Sequence, residues 1–159
     1  MRQPQLLIID LGSQYTLVIA RTMRELGFRT AVLVSTRARQ WIKAYKPRGI
    51  ILSGGSASVY EKGSPRPPKE VLNSRVPVLG ICYGMQWMAH VLGGKVYTER
   101  GSKEYGSAAI ECVLDDVLFA RTPRRQKVWA SHGDTVAKPP SGFAVIARSN
   151  NGAITAMRQ

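Results

Sequence analysis

The chain has 159 residues, room for one domain with a real core, and 44% hydrophobic against 21% charged residues excludes a disordered chain. Two cysteines and two histidines exclude a disulfide framework and a structural metal site, and no apolar run or amino-terminal pattern reads as a membrane span or signal peptide, so a cytoplasmic protein is expected. A net charge of +13, from 23 Lys and Arg against 10 Asp and Glu, favours polyanions or acidic surfaces; the cations are scattered, apart from Arg121, Arg124, Arg125 and Lys127, and with no nucleic-acid module they read as a solvated or docking face without specific nucleic-acid binding.

In chain order, Gln5 to Asp10 is an apolar run ending at Gly12-Ser13, the pattern of a buried parallel strand and a turn. Ser13 is the expected cap of a helix whose Tyr15, Val18, Ile19, Thr22, Met23 and Leu26 recur on one face, with Gly27 as its stop. A strand over Thr30 to Val34, a basic amphipathic helix over Arg37 to Tyr45 and a strand over Gly49 to Leu52 follow. A Gly-, Ser- and Pro-rich loop from Ser53 to Pro68 leads through a short helix at Lys69 to Leu72 into a strand over Val76 to Ile81. After a helix from Gly84 to Leu92, closed by Gly93-Gly94, the chain turns strand-rich: Lys95 to Thr98, Ser107 to Val113, Val128 to Ala130, Phe143 to Arg148 and Ala153 to Met157. Strands alternating with helices predict an α/β fold, an open, mostly parallel sheet with helices on both faces, followed by a strand-rich carboxy-terminal part.

In such sheets ligands sit beyond the carboxyl ends of the strands. Three Gly-bearing segments fall there: Asp10 to Ser13, Ser53 to Ser56, and Gly80 to Gly84. The last is the most informative. A strand runs into Cys82, flanked two residues away on each side by Gly80 and Gly84, and a helix starts at once, with Met85, Met88, Ala89 and Leu92 on one stripe. This is a nucleophile elbow with sulfur in place of a hydroxyl: the bend strains the nucleophile's backbone and the glycines let strand and helix cross. The helix start is expected to lower the Cys82 pKa. The alternative is a small buried thiol with no chemistry, the reading that suits Cys112 in its alternating strand. A thiolate attacking a carbonyl creates an oxyanion, which needs backbone donors. The Tyr83 N–H is one expected donor, and the Ser53-Gly54-Gly55-Ser56 loop offers the second.

Gly80-Ile81-Cys82-Tyr83-Gly84-Met85-Gln86, preceded by Ile51-Leu52-Ser53-Gly54-Gly55 and followed by Ser131-His132-Gly133-Asp134, resembles the class I, triad-type glutamine amidotransferases. Asp10 to Thr16, Ile19-Ala20-Arg21, Arg24 to Gly27, Ala57 to Tyr60 and Glu104-Tyr105-Gly106 are most similar to the amidotransferase portion of GMP synthetases. The similarity covers almost the whole chain, so residues 1–159 are expected to form one amidotransferase domain.

The resemblance implies that Cys82 attacks the side-chain amide of glutamine, forming a thioester and releasing ammonia. Gly55 and Tyr83 would supply the oxyanion hole; Gly54, Gln86, Ser131, Gly133 and Asp134 would bind substrate. Ammonia would pass to an ATP-pyrophosphatase synthetase domain, fused or separate, that uses ATP and Mg to aminate XMP; no cofactor and no metal are implied for this domain itself. The chain departs from the family at Ser56, where proline is usual after the glycine pair, and at Leu11, where phenylalanine is usual. The family's base histidine and its glutamate lie in a downstream Phe-His-Pro-Glu segment that the sequence ends without reaching, so these residues alone are expected to be weak or inactive. His132 falls in a substrate loop by the same resemblance, and His90 lies within the elbow helix. A non-catalytic relative serving as a regulatory or docking module is the alternative.

Overall fold

A computed structural model of the chain describes residues 4–98 and 104–159. It comprises two compact units, Met1–Trp87 and Met88–Gln159. Each has its own sheet.

The first unit is built on β1 (Leu6–Asp10), β2 (Thr30–Val34), β3 (Gly49–Leu52) and β4 (Val78–Gly80), in the order β2-β1-β3-β4 and all parallel. Leu7, Ile8 and Ile9 are fully buried, as an apolar run in the middle of a covered parallel sheet must be. The crossovers are α1 (Thr16–Glu25) and α2 (Ser35–Tyr45), and the elbow helix α3 (Tyr83–Val91) follows β4. Around Ile8, Ala20 and Ile51 pack Ile19, Met23, Val32 and Ile81, joining α1 to the sheet. Full burial of one such aliphatic side chain contributes about 1.5–3 kcal/mol.

The face that α1 buries is narrower than the sequence suggests. Thr16 and Ala20 are buried, whereas Tyr15, Val18 and Leu26 lie 48%, 56% and 64% exposed. The stripe that meets the core runs through Ile19, Ala20 and Met23, which leaves Tyr15, Val18 and Leu26 off it. Ser13 does not cap α1 either; its Oγ accepts the Tyr15 N–H in a local turn, and the helix begins three residues later, at Thr16.

The second unit is a six-stranded sheet of β5 (Lys95–Thr98), β6 (Glu104–Cys112), β7 (Arg125–His132), β8 (Asp134–Lys138), β9 (Ala144–Ser149) and β10 (Ile154–Arg158), ordered β5-β8-β10-β9-β6-β7. Its ladders are antiparallel. Ile146, Ala147 and Ala156 form its core with Phe119 against them. Strand β8 was absent from the sequence expectation. Only Gly133 separates it from β7, so one nearly continuous extended segment pairs with β6 through its first half and with β5 and β10 through its second. Val136 is its buried apolar anchor, too little for a strand pattern to be legible.

Candidate active site

The sheet order β2-β1-β3-β4 reverses direction between β1 and β3, which places the topological switch point at their carboxyl ends. The loops leaving β1, β3 and β4 carry Leu11, Ser53-Gly54-Gly55 and Cys82. At the end of β1, the Asp10 carboxylate accepts both the Gly12 N–H at 3.0 Å and the Thr16 hydroxyl at 2.8 Å, closing the turn into α1. At the end of β3, the Ser53 hydroxyl is wholly buried, accepts the Leu11 N–H at 2.9 Å and donates to the Gly54 carbonyl at 2.9 Å. The loops after β1 and β3 are thereby tied together.

After β4 the chain makes the predicted elbow. Cys82 has φ +47°, the left-handed region that L-residues avoid. A methyl on Gly80 would lie 2.7 Å from the Gly84 carbonyl carbon and the Met85 nitrogen, and one on Gly84 would lie 2.6 Å from the Leu52 carbonyl oxygen. Both positions therefore demand glycine because backbone crosses backbone there. The Gly84 and Gln86 N–H groups donate to the Ile81 and Cys82 carbonyls, closing the first turn of α3. Tyr83 opens that helix, a position whose N–H has no carbonyl one turn back. Its ring is buried and its hydroxyl donates to the Pro65 carbonyl at 2.6 Å, anchoring the elbow to the long loop after β3.

The glycine pair sits against this elbow. A Cβ on Gly54 would be 3.5 Å from the Cys82 Cβ, ordinary contact distance, whereas one on Gly55 would collide with the Leu11 carbonyl oxygen while lying 3.6 Å from the Tyr83 Cβ. Cys82, Gly54, Gly55 and Tyr83 thus converge within the first unit, and Gln86 is buried one helical turn beyond the thiol. Ser131, Gly133 and Asp134 belong to the second unit. Ser131 pairs with Tyr105 on the β6–β7 ladder, and Asp134 is buried at the start of β8 opposite Thr98. The segment read as a substrate loop is accordingly the β7–β8 junction, extended backbone broken only at Gly133.

One expectation is corrected. Burial pushes the Cys82 thiol up from its ordinary value instead of the helix start pulling it down. Removing a thiolate from water disfavours the charged form, and one of the free first-turn N–H groups that would offset this, that of Gly84, is already engaged by the Ile81 carbonyl. Cys112 is buried on β6, with the Gln126 amide 3.7 Å from its sulfur, as suits a core thiol. Among the described residues no cluster of three His, Cys, Asp or Glu could hold a metal, and no helix is long and apolar enough to cross a membrane.

Residues 7–159 match the family model for class-I glutamine amidotransferase. Curated relatives include the glutamine-hydrolysing GMP synthases of Campylobacter lari, 48% identical over 95% of this chain, and of Aquifex aeolicus, 44% identical over 95%. The chain spans 29% of the length of each of these relatives. Among solved structures, a protein assigned as one subunit of a GMP synthase from Thermoplasma acidophilum matches all of this chain and 79% of its own, with TM-score 0.81 at 23% identity. A glutamine amidotransferase from Thermotoga maritima matches 99% of this chain and 72% of its own, with TM-score 0.74 at 24% identity. These two share the fold. The elbow, the glycine loop packed against it and a family match across nearly the whole chain lead to one conclusion: the chain belongs to the class-I glutamine amidotransferases.

Proposed function

We propose that this chain is the glutamine-hydrolysing part of a GMP synthase, and that Cys82 is its nucleophile. The observation that carries the reading is the left-handed Cys82 held between two glycines that tolerate no side chain. Strain of this kind persists only where the surrounding structure enforces it, and it presents the nucleophile at the end of a strand.

The Cys82 sulfur, once deprotonated, adds to the side-chain amide carbon of glutamine, forming C–S and placing the C=O electron pair on oxygen. The Gly55 and Tyr83 N–H groups receive that oxyanion. Its collapse restores C=O and breaks C–N; the nitrogen takes the proton removed from the thiol and leaves as ammonia. Water then cleaves the thioester to glutamate and regenerates the thiol. Because burial favours the neutral thiol, the first step depends on a base. In the family that base is the histidine of a Phe-His-Pro-Glu segment, which residues 1–159 do not include. Gln86 and Gly54 would border the reacting amide. The ammonia would serve a synthetase domain that activates XMP with ATP and Mg, in keeping with curated relatives more than three times as long as this chain.

A glutamine analogue carrying a chloromethyl ketone in place of the amide tests the assignment. Mass spectrometry should find a single adduct on Cys82, suppressed by excess glutamine. An adduct distributed equally over Cys82 and Cys112, or one that glutamine does not suppress, would overturn the reading.

A further inference from the structure

We propose that Ser53 is a positioning residue for the oxyanion hole, its buried hydroxyl setting the direction in which the Gly55 N–H points. The inference rests on the glutaminase reading above and concerns a residue that never touches the substrate. The Gly54 carbonyl and the Gly55 N–H belong to one peptide unit, and among the described residues no peptide bond is cis. In a planar trans unit the C=O and N–H point in opposite directions. Donation from Ser53 Oγ to the Gly54 oxygen, at 2.9 Å, therefore turns the Gly55 N–H away from Ser53. No carbonyl among the described residues takes that N–H, which leaves it open to a ligand.

Two further contacts lock the arrangement. The same Ser53 oxygen accepts the Leu11 N–H at 2.9 Å, and the carbonyl oxygen of Leu11 closes on the Cα of Gly55, leaving no room there even for a methyl group. Gly54, on the other flank of the peptide, lies against Cys82. One hydroxyl thus fixes the plane of the Gly54–Gly55 peptide, whose Gly54 packs on Cys82, and ties it to the end of β1. Glycine pairs rotate easily. Without the Ser53 bond the Gly54–Gly55 peptide is free to turn, and its donor is lost to the oxyanion. Full burial also gives the hydroxyl no water as an alternative partner, so its two bonds are its only satisfaction.

The test compares two reagents on wild type, Ser53→Ala and Ser53→Cys. The glutamine-derived chloromethyl ketone passes through a tetrahedral oxyanion at its carbonyl, whereas iodoacetamide alkylates sulfur by direct displacement and develops none. Loss of one oxyanion donor typically costs roughly 10²–10³ in rate; a peptide merely set free to rotate should lower the ketone rate about 10- to 100-fold. The iodoacetamide rate at Cys82 should stay within about twofold, and Ser53→Cys, with its weaker donor, should fall between. Equal losses with both reagents, or an unchanged ketone rate, would overturn the role assigned to Ser53. If Ser53→Ala fails to fold, the nearly isosteric Ser53→Cys reads the same ratio. A wild-type protein on which the ketone shows no preference for Cys82 would overturn the glutaminase reading itself and this inference with it, an outcome separate from wild type and variants reacting alike.

Discussion

Cys82 joins a costly backbone conformation to a thiol whose burial disfavours its charged form. A non-glycine residue in the left-handed region costs on the order of 1–2 kcal/mol, and burial raises the thiol above its ordinary value. The sign of the consequence is fixed: a raised value means less thiolate at neutral pH than a free cysteine has. The rate of alkylation of Cys82 by iodoacetamide should therefore climb with pH around a midpoint above that of free cysteine. A midpoint below it would show that the helix start outweighs desolvation. By linkage, stability attributable to this neutral thiol is complete below the unfolded-chain value and is lost as pH rises through the folded one, a slope that Cys82→Ala removes. The sequence made the cysteine and its glycines legible because the strand–Gly–x–Cys–x–Gly–helix pattern is local. The pKa direction was not legible, since burial is set by residues far away in the chain.

At the scale of elements, the crossing of β4, β3 and α3 makes glycine obligatory at Gly80 and Gly84, where any side chain meets backbone atoms that cannot step aside. Gly80→Ala and Gly84→Ala should each lower stability by about 1–3 kcal/mol or more, the usual cost of overpacking, read as a fall in Tm. Gly54→Ala is the contrasting case. Its methyl meets Cys82 and Ser13 at 3.5 and 3.6 Å, so Tm should barely change while ketone labelling of Cys82 slows. Strands β1 and β3 were readable because both their faces are covered and nearly every residue must be apolar. Strand β8 was not, because Asp134–Lys138 has few apolar positions and its strand state comes from the ladders to β5 and β10. The face of α1 was misread for a related reason. Periodicity finds apolar side chains, but the stripe that meets the sheet is narrower, taking in Ile19, Ala20 and Met23 with Thr16 buried beside them and leaving Tyr15, Val18 and Leu26 out.

For the whole molecule, the parallel sheet ordered β2-β1-β3-β4 gathers at one edge three loops that lie far apart in sequence, after Asp10, Leu52 and Gly80. If the ammonia formed there feeds a synthetase domain, Cys82→Ala assayed together with that domain should abolish GMP synthesis from glutamine and leave synthesis from added ammonium intact. Loss of both activities would argue against a separable glutaminase. The sequence by itself determined the family, the parallel β/α order, the elbow cysteine and the two glycine-bearing turns beside it, because each is written in residues close together in the chain. Only the tertiary structure decided that Ser53 bridges two strand ends, that Leu11 backs Gly55, that β7 runs on into β8 and that burial pushes the thiol up from its ordinary value. Those depend on distant segments meeting and excluding water, which no local pattern encodes.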